Sequence, residues 1–257
     1  MSEMQGIRRA AEILSNARHC VVFSGAGCST PSGIPDFRST GSGIWTTVDP
    51  MEVGSINAFR RNPKAFYEWF RPRVEQMERA EPNTCHYALA ALQRQGALEA
   101  IITQNIDDLH QRAGSEDVIP LHGSIHHSIC TQCLHRVGRP EAWAWLYDDQ
   151  NLPQCSLCSA PMKPDVVLFG EQLDARVWLQ ARTEAERCDV MTVVGSSLQV
   201  YPAAELPSLA LGNGASLIIV NLSETHLDRH ADVVLHQDVS VALPAILQAV
   251  NDQRGAQ

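Results

Sequence analysis

Four of the eight cysteines in this 257-residue chain form two Cys-x-x-Cys pairs, Cys130 with Cys133 and Cys155 with Cys158. Each pair makes a knuckle whose two thiolates reach one tetrahedral ion. Two knuckles therefore supply every ligand of a zinc site and leave no position for a catalytic water, which makes the zinc structural. The gap between the pairs slightly exceeds the usual one, at little cost inside an inserted loop. His126, His127 and His135 lie nearby and read as neighbours of the site, not ligands. A second set of chemistry-bearing residues follows the ends of short apolar runs. Gly25 and Gly27 follow residues 20–23, and Gln104, Asn105 and Asp107 follow 100–103. His122 follows 118–121, Gly195-Ser196-Ser197 follows 190–194, and Asn221 follows 217–220. His122 is the candidate general base, because an imidazole changes charge near neutral pH. Asp36, Asn105 and Asp107 read equally well as turn caps.

The loop after residue 23 suits a phosphate. Gly25 and Gly27 let the backbone come close to a ligand, and a strand that turns into a helix offers free N–H groups and a positive dipole end. The third glycine of the dinucleotide fingerprint is absent, with Thr30 in its place. More specific is the continuation Ser32-Gly33-Ile34-Pro35-Asp36-Phe37-Arg38, which sets an acid, an aromatic and a base on a rigid turn. Cys28 stands where a helix start would favour a low-pKa thiol, and it reads better as a small loop filler. His86 and His110 fall on helical stretches and read as structural.

These residues need elements to hold them. Apolar spacing predicts a helix over 5–17, and a loop followed by helices over 39–83. Asn83 or Thr84 caps a further helix that ends at Gly96. Continuous apolar strands at 20–23, 100–103, 190–194, 217–220 and 232–235 alternate with helices at 174–187 and 241–251. That pattern predicts an α/β fold with a doubly wound parallel sheet, covered on both faces, whose ligands bind at the strands' carboxyl ends. Residues 125–163, with both cysteine pairs, read as a metal-stapled insertion, and the α/β pattern resumes at Pro164. The net charge of −9 and the lack of a dense basic cluster argue against a large nucleic-acid footprint. No apolar run is long enough to span a membrane. No export signal is evident, and paired thiols outside a disulfide framework fit the cytoplasm.

Six motifs in order carry a resemblance over nearly the whole chain. They are Gly25-Ala26-Gly27-x-Ser29-x-x-Ser32-Gly33-Ile34-Pro35-Asp36-Phe37-Arg38, Thr103-Gln104-Asn105-Ile106-Asp107-x-Leu109-His110, Leu121-His122-Gly123-Ser124, and the cysteine quartet. Pro164-Asp165-Val166-Val167-Leu168-Phe169-Gly170-Glu171 and Gly195-Ser196-Ser197-Leu198-x-Val200-x-Pro202-Ala203 complete the set. Together they resemble the signature of the sirtuin family of NAD-dependent protein lysine deacylases. The resemblance implies a Rossmann-like NAD-binding domain over 1–38, 84–124 and 164–257. It implies a smaller domain from the helical 39–83 and the zinc ribbon 125–163.

By the same resemblance Gly25, Ala26 and Gly27 line the diphosphate, and Asp36, Phe37 and Arg38 surround the nicotinamide end. Gln104 and Asn105 meet the nicotinamide ribose, Ile106 and Asp107 the carboxamide pocket. Ser196 and Ser197, in the turn with Gly195, meet phosphate, and Asn221 and Leu222 sit near the adenosine. Val166, Val167, Leu168, Phe169, Gly170 and Glu171 pair with the substrate peptide as an added strand. His122 and Asn105 are the catalytic residues. The implied reaction begins when the acyl oxygen of an acyl-lysine attacks C1′ of the ribose and nicotinamide leaves. His122 then takes a proton from the ribose hydroxyls, and water completes release of lysine and O-acyl-ADP-ribose. An ADP-ribosyltransferase of the same architecture is the alternative activity. The branch that removes succinyl and malonyl carries Tyr-x-x-Arg where this chain has Phe70-Arg71-Pro72-Arg73, so an uncharged acyl group is expected.

Overall fold

The structure, a computed structural model, describes residues 2–36, 49–139, 141, 143 and 152–255. Phe37 and Arg38 lie outside the described residues. The described strands are β1 (Cys20–Ser24), β2 (Ala100–Thr103), β3 (Val118–Pro120), β4 (Gly123–Cys130), β5 (Arg136–Gly138), β6 (Met162–Val166), β7 (Val190–Val194), β8 (Ser216–Val220) and β9 (Val233–Leu235). The described α-helices are α1 (Glu3–Asn16), α2 (Pro50–Val53), α3 (Ile56–Arg61), α4 (Pro63–Arg79), α5 (Thr84–Arg94), α6 (Leu109–Arg112), α7 (Ala175–Arg187), α8 (Glu205–Gly212) and α9 (Val239–Gly255). They fall into two compact units.

The first unit comprises Met1–Pro35, Glu81–Leu121 and Asp174–Gln257. Its six strands lie in the order β3-β2-β1-β7-β8-β9, and every pairing is parallel. Every residue of β1, β2 and β7 is buried, as continuous apolar runs require when helices cover both faces. Alternation along β1 divides the core. Cys20 and Val22 pack with Ile7, Leu14, Leu89 and Ile246 of α1, α5 and α9. Val21 and Phe23 pack with Ala181, Ala185 and Leu206 of α7 and α8. Local signals set the helix starts: Ser2 and Gln5 form a capping box on α1, Asn83 caps α5, and Asp174 accepts from two amides of α7. The chain turns outward from β1 to β2 and β3 on one side, and β7 begins the other. The carboxyl ends of β1 and β7 therefore flank the topological switch point where such sheets bind ligands.

The second unit comprises Asp36–Ala80 and His122–Leu173. Its three-stranded sheet, in the order β5-β4-β6, is antiparallel. In α3 and α4, Phe59, Phe66 and Tyr67 meet edge to face, with Phe59 and Phe66 centroids 5.1 Å apart. The Tyr67 hydroxyl donates to the Met162 carbonyl at 2.8 Å, fixing this helix to β6. Residues 164–173, which the apolar pattern joins to the parallel sheet, fold into this unit instead, because β6 bonds antiparallel to β4. Among the described residues no helix is long and apolar enough to cross a membrane.

Candidate functional site

The loop after β1 differs from its sequence reading in form and in the reason for its glycines. No α-helix follows. Two three-residue 3-10 turns, Ala26–Cys28 and Thr30–Ser32, take its place, too short to build a helix dipole. Gly25 is extended, with φ −129°, so the turn itself does not demand glycine there. Close packing does. A Cβ on Gly25 would lie 2.8 Å from the Gly195 oxygen, and one on Gly27 2.9 Å from the Gly195 Cα. Gly195 has φ +60°, and a Cβ there would stand 2.3 Å from the Cys28 nitrogen. The Gly25 amide donates to the Val194 carbonyl at 3.0 Å and the Gly27 amide to the Gly195 carbonyl at 2.9 Å. The third glycine missing at Thr30 is thus supplied by another strand: Gly195 closes the backbone contact at the switch point.

A polar network at the ends of β1 and β2 holds the predicted residues. The Asn105 side-chain amide donates to the Gly25 carbonyl at 3.1 Å and to Ser29 Oγ at 3.0 Å. With both N–H groups so used, Asn105 is left with acceptor chemistry through Oδ1. Ser29 in turn donates to Asp107 at 2.7 Å, and the Leu109 amide donates to the other Asp107 oxygen at 3.0 Å. Burial raises the Asp107 pKa above the ordinary carboxylate value, against the pull of those two bonds. Gln104 donates to Ser196 Oγ at 2.9 Å, joining the ends of β2 and β7. Beneath lies a second layer. His110 Nε2 and Ser24 Oγ are 2.9 Å apart, and Ser24 donates to Thr103 Oγ1 at 2.8 Å. His110 is held neutral, its pKa pushed well down by burial and by the neighbouring His86.

The structure therefore brings together Gly25, Gly27, Gln104, Asn105, Asp107, Gly195 and Ser196. Ala26, Ile106 and Ser197 are half-buried on the same loops. Asn221 and Leu222 stand apart from this network: Asn221 closes its own turn by donating to the Ser223 carbonyl at 2.7 Å, and Leu222 is 67% exposed. Asp36, half-buried, is the first residue of the second unit.

His122 opens the return segment of that second unit and is half-buried. Its carbonyl accepts from the Val167 amide at 2.9 Å. The next residue must be glycine. Gly123 has φ +78°, and a Cβ there would stand 2.0 Å from the Asp165 oxygen. The segment beyond β6 is held from both sides: Phe169 bonds through its amide to Gly54 and through its carbonyl to Ile56, each at 3.0 Å. Glu171 accepts from the Leu168 amide at 2.9 Å and from buried Lys163 at 3.0 Å. Lys163 also donates to the Val166 carbonyl at 2.6 Å. Spacing reveals nothing of Lys163, which precedes a proline in an ordinary polar stretch. Asn83 was legible only as a helix cap, yet its side-chain amide also donates to the Cys28 carbonyl and to Ser32 Oγ, both at 2.9 Å.

The four predicted thiols meet. Cys130 Sγ lies 3.5 Å from Cys158 Sγ, and Cys133 Sγ lies 3.6 Å from those of Cys155 and Cys158. Amides of Gln132 and Cys133 point at Cys130 Sγ, and that of Leu157 at Cys155 Sγ, each at 3.4 Å. Such donors suit thiolates, so this set fits one structural zinc. Burial works to raise the Cys130 thiol, but the amides and neighbouring sulphurs bring it down to about 6.

Comparison with known proteins agrees with this geometry. Residues 25–202 match the sequence model of the Sir2 family. The NAD-dependent protein deacylase 2 of Archaeoglobus fulgidus is 48% identical over 252 residues, 96% of this chain and 97% of its own. A Sir2 structure with p53 peptide and NAD+ is 37% identical, with a TM-score of 0.85, and the match covers 98% of this chain and 99% of that one. Another, with deacetylated p53 peptide and 3′-O-acetyl ADP-ribose, is 38% identical, with a TM-score of 0.88 over 94% of this chain and 97% of that one.

Proposed function

The chain belongs to the Sir2 family, and from that premise we propose that it is an NAD-dependent protein lysine deacylase that passes the acyl group to ADP-ribose. The observation that carries this reading is the bond between the His122 carbonyl and the Val167 amide. It makes the candidate base and the candidate peptide-binding segment one hydrogen-bonded piece. The protein uses NAD, which supplies the ADP-ribosyl acceptor and nicotinamide as leaving group. One zinc on Cys130, Cys133, Cys155 and Cys158 is structural.

The interlocked glycines support a diphosphate site at Gly25, Ala26, Gly27 and Gly195 to Ser197, because they let the loops after β1 and β7 meet backbone to backbone at the switch point where such sheets bind ligands. Asn105, its amide N–H groups engaged, accepts from a ribose hydroxyl through Oδ1. Asp107 fixes Ser29 beneath it, and Ile106 and Asp107 shape the pocket for the carboxamide. Asp36, Phe37 and Arg38 attend the nicotinamide end, and Asn221 and Leu222 the adenosine. His122 removes a ribose hydroxyl proton, the step a positioned imidazole performs as general base. Residues 166–171 take the peptide as an added strand. The amides of Val167, Leu168 and Phe169 are bonded within the protein, so pairing falls to the remaining backbone groups of the segment.

The acyl-lysine peptide carries an uncharged acyl chain, since Phe70 supplies no phenol and is stacked on Phe66 at 5.2 Å. The reading places the enzyme in the cytoplasm, without a nucleic-acid partner. Mass spectrometry of products from NAD and acetyl-, longer-acyl- and succinyl-lysine peptides tests it. O-acyl-ADP-ribose with acetyl preferred over succinyl is expected. ADP-ribosylated peptide without deacylation would replace the reading by the transferase. His122→Ala is expected to lower turnover by about 10²–10⁴-fold while NAD affinity stays near that of the wild type. Near-normal turnover would remove His122 as the base.

A further inference from the structure

Cys28, in the glycine loop, and Cys85, in the first turn of α5, are both 0% exposed, and their sulphurs lie 3.2 Å apart. His86 Nε2 is 3.8 Å from the Cys28 sulphur, and the rings of His86 and His110 meet at 4.9 Å. Donor atoms of Cys28, His86 and His110 all lie within 4.8 Å of one another. Two chemistries compete for such a cluster: a metal centre or a redox pair. The imidazole tautomers decide. The Asn83 backbone N–H donates to His86 Nδ1 at 3.2 Å. A backbone amide only donates, so Nδ1 carries no proton and Nε2 does. The Nε2–H then points at sulphur, where a metal would need a lone pair. The sulphur spacing points the same way, since the zinc-type quartet keeps its sulphurs 3.5–3.6 Å apart and this pair is closer.

We propose that Cys28 and Cys85 form a reversible oxidation site, at which a small peroxide converts the dithiol to a disulfide that ties the cofactor loop to α5. The Asn83 amide donates to His86 and His86 Nε2–H to the Cys28 sulphur, and the Cys28 and Cys85 sulphurs lie within hydrogen-bond reach, with either able to donate. In the proposed step Cys85 is the nucleophile, its sulphur accepting from Cys28 in the arrangement where Cys28 donates. Its sulphur attacks hydrogen peroxide, the O–O bond breaks, and a sulfenic acid and one water form. The Cys28 sulphur then attacks the Cys85 sulphur, and the S–O bond breaks. The departing hydroxide leaves as water with the Cys28 proton. Two thiols and one peroxide thus give one disulfide and two waters, and His86 Nε2–H steadies the charge on Cys28 as its proton leaves. Full burial excludes bulky disulfide oxidants, which fixes the oxidant class as a small peroxide.

Bond formation closes the sulphurs from 3.2 Å to about 2.05 Å, and the loop has little slack to follow. Cys28 lies between Gly27, bonded to Gly195, and Ser29, bonded to Asp107, and the Asn83 side chain holds its carbonyl. The shift therefore falls on the residues that the deacylase reading gives to NAD. That consequence, unlike the disulfide itself, rests on the reading.

Zinc-loaded wild-type protein treated with graded hydrogen peroxide, alkylated and digested without reductant tests the proposal. A Cys28–Cys85 cross-linked peptide that forms before zinc is released, and that dithiothreitol reverses, is the expected result. The oxidised enzyme is expected to show a several-fold higher KM for NAD, restored by dithiothreitol, and Cys85→Ala is expected to resist the change. Free Cys28 and Cys85 thiols at every dose that releases zinc, or irreversible over-oxidation without a cross-link, would overturn the site. This mapping needs no activity, so it stands or fails apart from the deacylase assignment. A cross-link with unchanged KM would overturn its coupling to the cofactor loop.

Discussion

Four sulphurs gather at Cys130, Cys133, Cys155 and Cys158, two at Cys28 and Cys85, and their surroundings give them opposite chemistry. In the quartet, amides of Gln132, Cys133 and Leu157 are aimed at sulphur. In the core pair the amides are spent elsewhere: that of Cys28 goes to the Gly25 carbonyl and that of Cys85 to the Asn83 side chain. The quartet divides its protons unevenly: the Cys130 thiol is brought down to about 6 despite burial, while the Cys133 and Cys158 thiols are pushed up by the neighbouring sulphurs and by burial. The Cys28 thiol is pushed well up, by its hydrogen bond to Cys85 first and by burial second. Backbone donors aimed at sulphur favour a thiolate ligand, and burial without them favours the thiol. Proximity alone does not separate the two cases, since the quartet and the group of Cys28, His86 and His110 each bring three or more ligand atoms together.

The contrast breaks most visibly on the quartet side. The zinc-type lobe has a small apolar core, with Cys130, Cys155, Ala160 and Met162 packed by Val137, so metal binding carries its folding. Cys155→Ser is expected to abolish zinc retention and destabilise the lobe by roughly 4 kcal/mol or more. A chromogenic zinc assay and hydrogen exchange over β4 to β6 measure this, and full zinc occupancy in the variant would contradict the four-thiolate site. On the core side, the comparable weak point is a backbone contact. Gly195→Ala would drive a Cβ to 2.3 Å from the Cys28 nitrogen at a φ of +60°. It is expected to cost about 3 kcal/mol in denaturant unfolding and to weaken NAD binding, with zinc content unchanged. Wild-type stability in that variant would mean that the glycine contact is not what holds Cys28 in place.

The two clusters were also unequally legible. Cys-x-x-Cys spacing is local, since a knuckle is formed by four consecutive residues, and the quartet could be read directly. Cys28 and Cys85 are 57 residues apart and meet only because β1 and α5 share one face of the parallel sheet. The strands were legible for the same local reason, as continuous apolar runs bounded by glycine or Asx residues. Three features were not. Gly25 and Gly27 were visible as loop glycines, but the need for them lies in Gly195, reached only through the β1–β7 pairing. Residues 164–173 looked like a return to the parallel sheet because apolar periodicity does not reveal a strand's partner, and β6 pairs with β4. Lys163 escaped notice because its value comes from Glu171 and the Val166 carbonyl, both set by the fold.

The smallest expected effect gives the sharpest separation of the clusters. Cys85→Ala removes one sulphur from a sealed core and leaves the cap at Asn83 intact. The loss is expected to be about 1 kcal/mol, or roughly 2–4 °C in Tm for a chain of this size. Zinc content should not change, and neither should the deacylase rate under reducing conditions. The thiols themselves can be counted by alkylation. In native wild-type protein near neutral pH, Cys28 and Cys85 should stay unlabelled by iodoacetamide even after a chelator exposes the quartet. Both are sealed from solvent, and the raised Cys28 pKa keeps that sulphur protonated at neutral pH. Removing Cys85 also removes the largest cause of that rise, so Cys28 should titrate lower in the variant, while burial continues to block the reagent. Labelling of Cys28 in native Cys85→Ala at the rate of an exposed thiol would show that contact with Cys85, and not burial, is what protects the cofactor loop.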